Sequence, residues 1–240
     1  MDLPPVAGSM LSFVGAAECE QLMSAGVRRR FFEGDLLLRQ GDPSDHVLLL
    51  LTGWVRVYST SADGQETMVA LRGAGDLVGE LAALHGWDRT ASVQALTPVD
   101  VVQLLREQFV ECVHTSPGIA VGLIKQMAAR LRGVETILVE VTTLDVSRRV
   151  ATYLLQLAGR HGAPGANGVV LGMPLSQQDI ASRVGASLRG VARAMRVLRD
   201  RGIIRTTRRR IASGRARRPG AATRSEPEYL VSEEIEGRRP

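Results

Sequence analysis

The sequence predicts an α+β fold: an N-terminal antiparallel β-roll, one long helix, and a C-terminal winged-helix-like domain built on a helix-turn-helix. Three observations predict it. Short apolar runs are punctuated by Gly-Asp or Asp-Gly pairs at 34–35, 41–42, 63–64 and 75–76, the rhythm of an antiparallel sandwich or roll. Ala120, Ile124, Met127, Leu131, Val134, Leu138 and Val141 then recur at steps of four and three, a heptad seam. Two short amphipathic segments flank Gly185 in the basic last quarter of the chain.

The elements follow in order. DLLLRQ, HVLLLLTGWVRVYST, ETMVALR and ASVQALTPVDVVQLL supply the strands, with short helices over 18–25 and 80–84 flanking or interrupting them. Pro117 opens the long helix, which Asp145 interrupts. No second helical hairpin covers its seam. Ile124, Met127, Leu131, Val134, Leu138 and Val141 are therefore expected to pack against a second copy, the alternative being their own domain. VSRRVATYLLQLAGR begins a further amphipathic helix, HGAPGANG is a loop by composition, and VVLGMPL is a strand leading to Ser176. The expected division is 1–116 roll, 117–145 dimerisation helix, 146–212 helix-turn-helix domain, and 213–240 a basic tail whose Gly, Pro and charge predict disorder.

Charge divides the same way. Residues 1–175 carry 14 basic and 18 acidic side chains, a balance of −4; residues 176–240 carry 16 and 7, a balance of +9. A basic patch confined to one end points to nucleic acid there, double-stranded DNA given the paired helices. Lys125 is the only lysine among 30 basic residues, so the location of the arginines says more than their number. Cys19 and Cys112 stand far apart, and His46, His85, His114 and His161 are scattered, so no metal or disulfide is expected. The opening MDLPPVAGSM lacks a signal-peptide pattern and the apolar runs are short, so a cytoplasmic, non-membrane protein is expected. No catalytic constellation is present, and an enzyme is not expected.

In the basic quarter, Ser176 with Asp179 makes a capping-box start. Ile180, Ala181 and Val184 face inward, Gly185 allows the turn, and Ser187 caps a second helix with Val191, Ala194, Met195 and Leu198 inward. Arg189, Arg193 and Arg196 share its outer face. Arg189 and Arg193 suit base edges, since guanidinium pairs bidentately with guanine. Ser176, Gln177, Ser187, Arg196 and the run 208–210 suit phosphates.

GDLVGELAALHGWDRTASVQAL resembles the phosphate-binding cassette of cyclic-nucleotide-binding domains. With the long helix, LDVSRRVA and the helix-turn-helix, residues 20–211 resemble the catabolite-activator/fumarate-nitrate-regulator family of bacterial transcription factors. The resemblance implies a homodimer gated by a cyclic nucleotide, cAMP first and cGMP second, with Gly79, Glu80, Leu81, Ala82, Arg89, Thr90 and Ala91 around the sugar-phosphate. Chemistry supports those roles: Arg89 pairs with the phosphodiester charge, the helix start after Gly79 adds backbone donors, and Glu80 accepts from a ribose hydroxyl. It also implies RNA polymerase as a partner if the protein activates. Family members that sense through iron–sulfur or haem are disfavoured by the cysteine and histidine spacing.

Several positions depart from the family pattern. Asp88 replaces a proline before the arginine. The helix positions that contact adenine in cAMP receptors become Val134 and Glu135, with Thr136 close by; Thr90 is the residue type that favours guanine in eukaryotic relatives. Leu188 replaces an arginine and Arg189 an acid on the recognition helix, so an altered operator is expected. After Ile211 no alternating pattern marks a β-hairpin wing, and the arginine-rich tail is expected to contact phosphates in its place. Two alternatives stay open: a DNA-binding regulator with no nucleotide or another effector, and a nucleotide-binding module acting on a protein partner.

Overall fold

The computed structural model describes residues 8–165, 168–207 and 210–213. A 3-10 turn (Met10–Ser12) and α1 (Ala16–Ser24) lead into the roll. One of its antiparallel sheets has the order β1 (Val27–Phe31), β8 (Val99–Leu105), β3 (His46–Leu50), β6 (Leu77–Val78). The other has the order β2 (Leu36–Leu38), β7 (Ser92–Ala95), β4 (Trp54–Thr60), β5 (Glu66–Gly73).

Strand β3 is apolar from Val47 to Leu50 and β8 is apolar except at Asp100 and Gln103, because both faces of these strands are covered. Leu48, Leu50, Val99 and Val101 point between the sheets with Val55, Val93 and Ala95. The alternate residues Val47, Leu49, Val102 and Leu104 pack under helices with Leu77, Phe109, Ile119 and Leu123. Alternation of period two is thus preserved, with an apolar partner on each side. Each such fully buried aliphatic contributes roughly 1.5–3 kcal/mol. Gly53 breaks the long apolar stretch into β3 and β4: its φ is +79°, and a Cβ there would lie 2.2 Å from the Pro98 carbonyl oxygen.

The cassette helix α2 (Glu80–His85) follows β6, and α3 (Arg106–Thr115), not expected from the sequence, follows β8. α4 (Pro117–Thr143) starts with the Ser116 hydroxyl as cap and Pro117 in its first turn. Asp145 ends that run and caps α5 (Val146–His161), accepting from the Arg148 N–H at 2.9 Å.

The C-terminal part packs α5, α6 (Gln177–Val184) and α7 (Leu188–Asp200) around Val150, Leu154, Ile180, Val191, Met195 and Leu198. Two expectations are corrected here. Residues 161–168 are not simply a loop: β9 (Gly162–Gly165) pairs with β10 (Gly168–Leu171) through backbone bonds that need no side-chain pattern. A wing is present: β11 (Ile204–Thr207) and β12 (Arg210–Ser213) form an antiparallel hairpin, and β12 also pairs with β10. It begins before Ile211, ahead of the segment in which the sequence pattern was sought. The tail after residue 213 and the arginines at 208 and 209 lie outside the described residues.

Candidate ligand cleft and nucleic-acid interface

The cassette begins at Gly79, whose φ of +86° is left-handed and whose missing Cβ leaves room for Arg89: a Cβ would sit 2.6 Å from Nη1. Arg89 is 4% exposed. It donates from Nη1 to the Gly79 carbonyl at 3.1 Å and from Nη2 to the His46 carbonyl at 2.5 Å, with the Asp45 carboxylate 3.6 Å away. Burial lowers its pKa from the ordinary arginine value, while Asp45, Glu80 and Asp42 oppose that shift. Leu81 and Thr90 are exposed, Ala82 is buried, and Ala91 is half-buried.

Glu80, 2% exposed, forms an ion pair with Arg130 of α4, not with Arg89. Arg130 also donates to the Leu77 carbonyl at 2.6 Å. The cassette is therefore tied to the long helix by a charge-assisted bond that is buried at the Glu80 end. Sequence reasoning missed Arg130. Its signal was present, however: Ile119, Leu123 and Gln126 form a buried stripe on α4, and Arg130 is the next position along it.

Arg130 lines a cleft of about 430 Å³ between β5, α4 and the C-terminal helices. Arg72, Arg130, Arg160 and Arg183 line it, with Asp76 the one lining carboxylate among the described residues. Such a surplus of guanidinium suits an anion. Burial brings the Arg72 pKa down to about 10, assisted by the nearby charges of Arg130 and Arg160, and pushes that of Asp76 up. Arg183 stacks over the Tyr153 ring at 5.0 Å. Val134 lines the cleft; Glu135 and Thr136 are exposed and outside its lining. Two walls of the cleft belong to different domains. They also touch directly, for Trp54 of β4 meets His161 edge-on, ring centroids 4.7 Å apart.

In the basic quarter, Ser176 and Asp179 form a reciprocal capping box: the hydroxyl accepts from the Asp179 N–H at 3.0 Å, and Asp179 accepts from the Ser176 N–H at 3.0 Å. Gly185 takes the left-handed conformation at φ +60°, and Ser187 caps α7. Val191, Ala194, Met195 and Leu198 are buried, while Arg189, Arg193 and Arg196 are exposed along one face with Gln177 and Leu188 also open to solvent. This is the geometry by which a second helix enters a major groove. Among the described residues, no group of three His, Cys, Asp or Glu side chains could hold a metal, and no helix is long and apolar enough to cross a membrane.

A family model described as a cyclic nucleotide-binding domain matches residues 28–116, and one described as a Crp-like helix-turn-helix domain matches 148–213. The chain is 32% identical over 175 residues to the CRP-like cAMP-activated global transcriptional regulator of Mycobacterium tuberculosis, covering 73% of this chain and 78% of the relative. It is 31% identical over 191 residues to the cyclic AMP receptor protein of Thermus thermophilus, covering 78% and 84%. FixK2 from Bradyrhizobium japonicum shares the fold, with a TM-score of 0.68 at 24% identity over 78% of this chain and 92% of that one. These relatives are regulators, not enzymes, and with both modules matched in this order the chain belongs to the Crp/Fnr family as a cyclic-nucleotide-binding transcription regulator.

Proposed function

We propose that the protein is a cytoplasmic homodimer whose binding to double-stranded DNA is gated by a cyclic nucleotide held between the roll and α4. The observation that carries this reading is the buried Glu80–Arg130 pair, since a ribose hydroxyl arriving at Glu80 acts directly on the helix that spans the two domains. Gly79, Glu80, Leu81, Ala82, Arg89, Thr90 and Ala91 surround the sugar-phosphate. Val134, Glu135 and Thr136 lie toward the base. The names of the relatives favour cAMP, with cGMP the competitor. Dimerisation is supported by the seam: Ile124, Leu131, Val134 and Leu138 are 66%, 62%, 61% and 68% exposed in the single chain, a contiguous apolar row of the kind that marks an interface. Met127 and Val141 belong to the same row.

Arg189 and Arg193 read bases, and Ser176, Gln177, Ser187, Leu188 and Arg196 face the backbone or the groove edge. A dimer engages two half-sites about 34 Å apart, so a shift of α4 changes their spacing and hence affinity. RNA polymerase is the partner if the operator sits at an activated promoter. The test is calorimetry with cAMP and cGMP on the wild type and Arg89→Leu, followed by selection of bound DNA with and without each nucleotide. Failure of both nucleotides to bind would sink the gated version.

One observation favours a second reading, a DNA-binding regulator answering to no cyclic nucleotide. Arg89 already donates to two carbonyls and faces Asp45, so a phosphate must displace existing bonds. Operator affinity unchanged by either nucleotide supports that version.

A further inference from the structure

The effector's base is the part of the ligand that the cassette leaves open, and one charged side chain in the cleft has the chemistry to read it. Arg72 stands on β5 at the cleft wall, together with Val69, Ala70, Gly133 and Val134. Among the described residues its one side-chain hydrogen bond runs from Nη1 to the carbonyl of Leu71, its own neighbour in the strand. No ion pair within 4.0 Å joins it to Asp76 or Glu80 among the described residues, although both carboxylates act on it at longer range. A guanidinium carries five donors and no acceptor, so most of this one's capacity is unused.

Several other polar groups around the cleft are already committed, whereas the Ser9 hydroxyl and His161 Nδ1, which also line it, have no hydrogen-bond partner among the described residues. Arg130 holds Glu80 and the Leu77 carbonyl. Gln156 donates to Glu140 at 2.9 Å, and Arg183 lies on Tyr153. Asp76 accepts from the Gly73 N–H at 3.1 Å. On α4, Val134 offers no hydrogen bond at all. On the roll's wall of the cleft, a purine beside Val134 meets Arg72, which is half-buried, makes a single side-chain hydrogen bond and can only donate.

We propose that Arg72 is the base-reading residue of this cleft and that it selects guanine over adenine. This rests on the cyclic-nucleotide reading above and reverses the order in which the relatives' names place the two nucleotides. Guanine presents two adjacent acceptors, O6 and N7, which a guanidinium meets bidentately. Adenine presents N7 beside the N6 amino donor, so the same approach sets donor against donor and leaves a half-buried charge partly unpaired. The preference follows from hydrogen-bond polarity, not from shape, because the two purines are nearly the same size.

The test measures dissociation constants of the full-length protein for cGMP, cIMP and cAMP by calorimetry, then repeats them on Arg72→Met. Inosine keeps O6 and N7 but lacks the 2-amino group, so it isolates the edge that Arg72 reads. Wild type is expected to bind cGMP and cIMP about 5- to 140-fold more tightly than cAMP, the worth of one bidentate pair. Arg72→Met is expected to bring all three together by weakening cGMP and cIMP while leaving cAMP within about threefold. Tighter binding of cAMP by the wild type overturns the proposal without touching the gated reading, and does so even if the variant fails to fold. Equal loss for all three ligands in Arg72→Met also overturns it, since that marks a phosphate contact. Absence of binding by any of the three removes both this proposal and the nucleotide reading beneath it.

Discussion

Replacing Arg130 with leucine tests how the cassette is tied to the long helix. The substitution strips the Glu80 carboxylate of its cation and the Leu77 carbonyl of a donor in a single step. Glu80's side chain is 3% exposed, so water cannot take over at its end; Arg130's is 20% exposed, so the site is not wholly dry. Removing one partner of a buried pair costs about 3–5 kcal/mol, and partial access of water places this one near the lower figure, about 3 kcal/mol. For a chain of this size that lowers Tm by roughly 6–12 °C. Glu80→Leu alone leaves Arg130 able to swing toward solvent and should cost less. The double variant Glu80→Leu/Arg130→Leu removes both charges together, and should be at least about 1 kcal/mol more stable than the sum of the single effects requires. The assay is thermal and urea unfolding of all four proteins. Additivity within about 0.5 kcal/mol would refute the claim that the two side chains form one coupled element.

Further expectations address the remaining parts. Arg189→Ala or Arg193→Ala should cost about 1–3 kcal/mol on a selected operator and relax its sequence at one position, whereas Arg196→Ala should weaken all DNA alike and reduce the salt slope by about one; gel-shift titrations over a range of salt separate the two. Leu138→Glu places a charge toward the C-terminal end of the seam, at its most exposed apolar position, and should yield monomers in sedimentation at micromolar concentration, with a persistent dimer counting against the seam. Burial, with Arg160 and Arg72 nearby, holds His161 down at about 4. Because the folded value lies below the ordinary 6.5, the stabilisation is complete above about pH 6.5 and is lost as pH falls toward 4, a change of at most about 3 kcal/mol. Trp54 fluorescence in a Trp87→Phe background should follow that loss, and His161→Gln should flatten it.

Much of this architecture is legible in the chain because it rests on side-chain periodicity. The long helix that carries the row from Ala120 to Val141, the caps at Asp145, Ser176 and Ser187, and the turn at Gly185 each follow from spacing and local chemistry. What escaped has a common physical cause. β9 is Gly-Ala-Pro-Gly, held by pairing with β10 alone, so no apolar alternation marks it. The wing strands sit within a run of arginine and threonine, where charge hides a four-residue pattern. At the cassette, the residue types announced a sugar-phosphate site, but Glu80's partner comes from a helix fifty positions later, and only the packing of α4 against the roll brings Arg130 there. Arg72 likewise reads as an ordinary strand arginine until β5 is seen facing α4.

The mixed ownership of the cleft has a consequence for how promoters would feel the effector. Arg160 and Arg183 belong to the DNA-binding half, Arg72 and Asp76 to the roll, and all four border one space. Any free energy by which an occupant of that space changes operator affinity must reappear, with equal size, as a change in the occupant's own affinity once DNA is bound. A strong operator would fill at an effector concentration too low to fill a weak one, because it needs less of the liganded protein. Promoters served by this single protein would switch at different intracellular effector concentrations, ranked by operator strength, with no second regulator required to set the order.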